Sequence, residues 1–295
     1  MFKLAFCAGH YLHTPGKRIP AQLDPKETRE WVLNNRVAAF LQQAAAERGV
    51  ETLRTDDATG AAFVDIPERT AAANAWGAEL YVDIHHNAAG RIFEGGGVEA
   101  FCYPGSEAGK KYRDAIYEAV VKAGGLKGNR AKPLQEKKFD SLTMTKMPAV
   151  LVEYGFMDST ADVPVISTEE YARKVAYATM DAIAKVAGIP AVYTREAFIR
   201  DVQRACGAKV DGIAGPETLS KTVTLSEQKN RTHPVVAAVQ RYLQSLGYPQ
   251  VGKADGIAGV KFTAAVVAFQ EDHRCWVDGE ITAGHKTWKT LLGLA

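Results

Sequence analysis

Three short segments hold residue types that can bind a metal ion or move a proton: CAGH (residues 7–10), YVDIHHNAA (81–89) and PAVLVEYGF (148–156). Each reads as a strand that carries polar side chains at or near its end. Tyr81, Val82 and Ile84 are strand-forming residues in a short run. Side chains alternate across a strand, so Asp83, His85 and Asn87 share one face and His86 points to the other. The two adjacent histidines therefore have different jobs. Glu153 follows Val150, Leu151 and Val152. Burying a carboxylate among such neighbours is costly, so a structural explanation for Glu153 is hard to find. A fourth residue, Glu30, stands three before Leu33 and seven before Val37. That spacing puts it on the inward face of a helix.

Two neutral imidazoles and one carboxylate form a catalytic zinc set that leaves a fourth position open. A metal there acidifies water and polarises a carbonyl. His10, His85 and Glu30 could supply the set. Glu153 would then be a base outside it, its apolar neighbours raising its pKa into a useful range. Each residue also has an ordinary reading. A lone histidine is more often packed or on the surface, and a glutamate in a first helical turn usually serves the helix dipole. His13 makes an HxxH with His10, a weak signal outside a helix. His86 is assigned to packing or to hydrogen bonding behind the ligands. No HExxH is present.

The elements that must position these residues alternate. LAFCAG, VETLRT, ELYVDIHH, GGVEAFCY and PAVLVEYGF read as strands. Helices are expected over ETREWVLNNRVAAFLQQAAAERG, IPERTAAANAWGA, SEAGKKYRDAIYEAVVKAGG and TEEYARKVAYATMDAIAKVAG. The first has Leu33, Val37, Phe40, Leu41 and Ala44 on one face, and the last has Thr168 as N-cap. The expected fold is α/β: a mostly parallel twisted sheet flanked by helices, with a second, smaller, mainly helical domain. In such sheets ligands sit beyond the carboxyl ends of the strands, where residues distant in sequence converge.

Domain 1 is expected over 1–188, a linker over 189–196 and domain 2 over 197–295. The stretch GIPAVYTRE has glycine, proline and no helical period. Beyond it an imperfect repeat appears: VDGIAGPETL, ADGIAGVKFTAAV and VDGEITAGHKTW. Asp-Gly suits a tight turn, with glycine supplying positive φ. Two copies follow a helix containing Val-Gln, and the first looks degenerate or partial.

The 295 residues suffice for one large or two ordinary domains. A net charge of +2 is too small to argue for a nucleic-acid partner. No apolar run reaches the ~18 residues of a membrane span, so no membrane insertion is expected. No signal peptide is recognised, and synthesis in the cytoplasm is expected. The four cysteines are far apart, without CxxC, and read as free thiols.

In order along the chain, Gly9-His10, ETREWVLNNRVAAFL, DIHHNA and PAVLVEYGFMDS resemble the zinc-dependent N-acetylmuramoyl-L-alanine amidases of the Amidase_3 type, found in autolysins and phage endolysins. The likeness runs to Gly188. It implies His10, Glu30 and His85 as Zn2+ ligands and Glu153 as catalytic base. Glu30 is preferred to Glu27 because Asn34 and Val37 follow it at the family's spacing. Asp83 departs from the serine often found there. Asp83 and Asn87 are assigned to support of the ligands. VQRYLQSLGY, ADGIAG, AFQ and VDGEITAGHKTW resemble peptidoglycan-binding helical domains. The resemblance implies cleavage of the amide between N-acetylmuramic acid and L-alanine, on bacterial peptidoglycan. The lack of a recognised export signal suits action on the wall after release, as a phage endolysin or when a mother cell lyses. The rival readings are a zinc peptidase cutting the stem peptide and a non-catalytic wall-binding protein.

Overall fold

The structure, a computed structural model, describes residues 2–189 and 193–294. It divides into two compact units, Met1–Ala191 and Val192–Ala295. Of the expected linker, residues 190–192 lie outside the described residues, and Arg195 and Glu196 already belong to a helix capped by Thr194.

The first unit has the order β1 (Lys3–Ala8), α1 (Glu30–Ala46), β2 (Glu51–Arg54), α2 (Ile66–Trp76), β3 (Leu80–Asn87), β4 (Glu99–Cys102), α3 (Glu107–Gly124), β5 (Leu134–Glu136), α4 (Asp140–Thr143), β6 (Ala149–Phe156), α5 (Val163–Ile166) and α6 (Glu169–Ala187). The sheet order is β2-β1-β3-β6-β4-β5. The pairs are parallel except β4 with β6, which is antiparallel. The expected α/β sheet flanked by helices is therefore present. The sequence missed β5, a three-residue polar strand at the sheet edge, and the four-residue helices α4 and α5.

The period-2 pattern of the strands sets two layers. Leu4, Phe6, Val82, Ile84, Val150 and Val152 pack on Leu33, Val37 and Leu41 of α1, Ile116 and Val120 of α3, and Val175 and Ile183 of α6. Ala5, Cys7, Tyr81, Phe101 and Leu151 face the other way, onto Ala73 of α2 and Leu142 of α4. This second face is the one that carries Asp83, His85 and Glu153. β6 lies inside the sheet and is covered on both faces, which is why it reads as one apolar run. Two caps are as their chemistry requires. Thr168 accepts from Tyr171 N at 3.2 Å, and Asp65 with Glu68 forms a capping box on α2 that the sequence reading passed over. Among the described residues no helix is long and apolar enough to cross a membrane.

The second unit is helical: α7 (Arg195–Cys206), α8 (Pro216–Ser220), α9 (Val235–Ser245), a 3-10 turn (Pro249–Val251), α10 (Val260–Asp272) and α11 (Lys286–Leu292). Its repeat is more regular than the sequence spacing suggests. Gln203, Gln240 and Gln270 are each buried beneath one Asp-Gly loop. Their Nε2 donates to Asp211, Asp255 and Asp278 Oδ1 at 2.8, 2.8 and 3.0 Å. It also donates to the carbonyls of Ile213, Ile257 and Glu280 at 3.0, 3.1 and 2.9 Å. Their Oε1 accepts from Gly212, Gly256 and Gly279 N at 2.9, 2.8 and 2.9 Å. One side-chain amide satisfies the turn three times over in the unit. At its loop the first copy thus makes the same hydrogen bonds as the other two, though the helix that follows it, α8, has only five residues. Its Phe198 and Val202 share a core with Val239, Phe269 and Trp288.

Candidate metal and catalytic site

Glu30 is the first residue of α1, at the end of the helix nearest the carboxyl ends of β1 and β3. Glu27, the sequence rival, lies outside the helix with φ +48°. Glu30 is almost wholly buried, at 1% exposure. Its Oε1 is 3.0 Å from His85 Nδ1, and its Oε2 is 3.3 Å from His10 Nε2 and 3.8 Å from Lys17 Nζ. The donor atoms of His10, Glu30 and His85 lie within 4.8 Å of one another. Burial works against the charged form of Glu30. His10 and His85 outweigh it and hold the carboxyl below the usual range.

His85 is clasped from both sides. Its Nε2 is 3.1 Å from Asp83 Oδ1, on the same strand face. Burial alone would lower its pKa, but Asp83 and then Glu30 push it well above the ordinary value. Asp83 in turn accepts from Cys7 Sγ at 2.9 Å. Cys7 is one of four free thiols, as expected. Burial, with the Asp83 charge behind it, pushes that thiol's pKa up, away from reactivity. His86 lies on the other face. Its Nδ1 is 2.7 Å from Asn34 Oδ1, and burial drops its pKa to about 3. His13 sits against the Tyr11 ring, away from the three.

Three residues to which the sequence assigned no role of their own hold this geometry. Gly9 allows β1 to approach β3: a Cβ there would meet the His85 ring at 2.1 Å. His10 has φ +65°, an uncommon backbone for a residue with a side chain. Arg69 of α2 secures it by donating to the carbonyls of Ala8 at 3.3 Å and His10 at 3.0 Å. Asn34 bonds Gly9 O at 3.1 Å, so one side chain links the turn before His10 to His86. Asn34 was noticed only for its family spacing.

Glu153 is the parallel register partner of His85 on β6, and Glu99 of β4 is its antiparallel partner on the other side. His85, Glu153 and Glu99 therefore stand in one row across three strands. Glu153 Oε2 is buried and has no hydrogen-bond partner among the described residues. Burial pushes its carboxyl up to about 8; Glu30 and Asp83 add to the shift, and His85 opposes it. Asn87, expected to support the ligands, bonds instead to Glu99, its Nδ2 donating to Oε2 at 2.8 Å. The β3–β6 register also shifts between His85, which pairs with Glu153, and Asn87, which pairs with Phe156.

The profile of the N-acetylmuramoyl-L-alanine amidase family matches residues 5–185 of the 295. The chain belongs to that family. A peptidoglycan-binding domain profile matches residues 232–291. The chain is 35% identical over 133 residues to the N-acetylmuramoyl-L-alanine amidase CwlM of Bacillus licheniformis, covering 45% of this chain and 48% of that protein. It is 33% identical over 115 residues to the sporulation-specific N-acetylmuramoyl-L-alanine amidase of Bacillus subtilis, covering 39% and 42%. The chain thus spans less than half the length of these relatives. The catalytic domain of CwlV, an amidase from Bacillus (Paenibacillus) polymyxa, superposes with a TM-score of 0.56 at 21% identity, over 64% of this chain and 100% of that one. This last likeness is one of fold. The amidase-family match takes in His10, Glu30, His85 and Glu153, and the peptidoglycan-binding match begins after the first of the three glutamine-centred loops.

Proposed function

We propose that the chain is a peptidoglycan hydrolase, an N-acetylmuramoyl-L-alanine amidase that cuts the amide between the lactyl group of N-acetylmuramic acid and L-alanine. The observation that carries this is a pair. A His-Glu-His set converges within 4.8 Å, and in the next strand stands a glutamate whose Oε2 is buried and has no hydrogen-bond partner among the described residues. The set fits zinc in number and kind of donor. Glu30 Oε2 is buried and makes no well-aligned hydrogen bond among the described residues; it faces His10 Nε2 at 3.3 Å, itself one of the set, and Lys17 Nζ at 3.8 Å, so its lone pair is open to a cation held between the two histidines.

His10, Glu30 and His85 would hold the ion, His85 through the nitrogen that faces Glu30. Bound there, zinc supplies an acidified water, with a pKa of roughly 7, and a Lewis acid for the substrate carbonyl. Asp83 takes the other His85 nitrogen and so fixes its tautomer and ring plane. Glu153 removes a proton from the attacking water and gives it to the departing L-alanine nitrogen. Its apolar surroundings raise its basicity for that transfer.

Mass spectrometry of digested walls tests the reaction. The expected products are intact stem peptides with a free L-alanine amine and glycans with unsubstituted lactyl groups. Fragments cut within the stem would make the chain a peptidase. No cleavage by zinc-loaded protein would leave only wall binding.

We propose further that residues 1–188 catalyse and that 197–295 hold the wall. Each unit has its own core, built without residues of the other. Tethering makes the second encounter intramolecular and so raises activity by effective concentration. Truncation after residue 188 should cut activity on whole walls and leave activity on a small soluble muropeptide near that of the full chain. An equal loss on both substrates would mean that the second unit helps to build the active site.

A further inference from the structure

Beside Glu153 lies a construction that the proposed chemistry does not use. Glu99, 3% exposed, closes the row of His85, Glu153 and Glu99. Its Oε2 accepts from Asn87 at 2.8 Å, and its Oε1 from Gln135 at 3.3 Å and Arg130 Nε at 3.4 Å. The Arg130 guanidinium also lies 5.0 Å from the centroid of the Phe156 ring. Its side chain is 39% exposed. Among the described residues nothing pairs with its Nη1 or Nη2.

The backbone around Arg130 is fastened with unusual closeness. Asn129 N donates to Gly96 O at 3.2 Å, and Gly96 N donates back to Asn129 Oδ1 at 3.1 Å. A Cβ on Gly128 would fall 1.8 Å from Gly96 O, so only glycine permits the contact. The carboxylate of Asp162, itself 2% exposed, accepts from Gly97 N at 2.7 Å and Phe156 N at 2.9 Å. The Gly95–Gly97 run, the turn before Arg130 and the end of β6 are thereby joined. The result is an arginine set on an aromatic face, held by one edge and free at the other, with its place relative to β6 determined by backbone contacts.

We infer that Arg130 is a specificity-determining residue that binds a carboxylate of the substrate stem peptide through Nη1 and Nη2. This rests on the amidase reading above. A guanidinium fork matches a carboxylate with two parallel hydrogen bonds, and stacking on Phe156 pre-organises the plane. Neutralising Glu99 does not account for the arrangement, because Asn87 and Gln135 already serve its two oxygens and Arg130 gives it only Nε. The position also separates this role from stabilising developing charge. The His-Glu-His set lies at the His85 end of the row and Arg130 at the Glu99 end, with Glu153 between them. Arg130 therefore meets a group flanking the scissile amide. The acidic residue that follows L-alanine in the stem carries such a carboxylate.

The test uses the zinc-loaded full chain and two soluble substrates, the γ-methylamides of N-acetylmuramoyl-L-alanyl-D-glutamate and N-acetylmuramoyl-L-alanyl-D-isoglutamine, which differ only in whether the α-carboxyl of the second residue is a carboxylate or an amide. Hydrogen bonds to a charged group correspond to roughly a ten- to hundredfold preference in kcat/KM for the carboxylate. Arg130→Ala should erase that preference, mainly by raising KM for the carboxylate substrate, and Arg130→Lys should restore part of it. Zinc content and melting temperature are read for each variant. If the unaltered chain cuts both substrates at the lactyl amide equally well, the inference falls while the amidase reading stands. A preference that survives Arg130→Ala also overturns it, as does a uniform loss of kcat on both substrates. If neither substrate is cut at that bond but walls are cut elsewhere, the amidase reading fails and takes this inference with it.

Discussion

Glu153→Gln should fold, keep its zinc and lose most wall lysis. Glutamine nearly matches glutamate in shape and carries no charge. The surroundings of Glu153 already favour a neutral side chain there, since burial raises its carboxyl to about 8. The variant should therefore melt no lower than the parent. What disappears is the capacity to take a proton. General-base assistance is worth about 10²–10⁴-fold in rate, and the loss should fall in that range. The measurement is turnover on whole walls beside zinc content and melting temperature on the same preparation. A variant within a few-fold of the parent would remove Glu153 from the mechanism. One that has lost zinc would make it a ligand.

The second large effect separates two adjacent histidines. His85→Ala should abolish stoichiometric zinc and lysis together, because it removes one of three donors. His86→Ala should keep one zinc per chain. It should also lower stability, because Asn34 Oδ1 loses its partner at 2.7 Å in a buried place, a cost of roughly 1–3 kcal/mol. Chelation of the parent should stop lysis and added zinc restore it. The decisive readings are metal per chain and melting temperature. A His86 variant without metal beside a His85 variant with it would exchange their roles and overturn the proposed ligand set. Full lysis by metal-free parent would falsify the hydrolytic mechanism outright.

Much of this site could be read before any fold was known, and the physical reason is locality. The alternation of side chains along a strand needs only neighbours in sequence, so the opposite faces of His85 and His86 follow from Tyr81, Val82 and Ile84 alone. The cost of burying a carboxylate singled out Glu153 from its own flanks, Val150, Leu151 and Val152. The helical period placed Glu30 inward with Leu33 and Val37. Asp-Gly announced three turns in the second unit. In each case the signal and the structure lie within one element.

What the tertiary structure decided lies between elements. β4 runs antiparallel to β6, and this places Glu99 opposite Glu153, though nothing in EAFC states a direction. Asn87 serves Glu99, which the sheet order brings to it from β4, two strands away. Gly9 is small because a ring from another strand lies where its Cβ would be. Arg69 sits in a helix among alanines, and only packing brings it to the carbonyls of Ala8 and His10. Gln270 closes the third loop as Gln203 and Gln240 close the first two, although Phe rather than Val precedes it in sequence. A local pattern states which way a side chain faces. The partner it meets there is set by strand order, register and the volume of what packs across, and those belong to the chain as a whole.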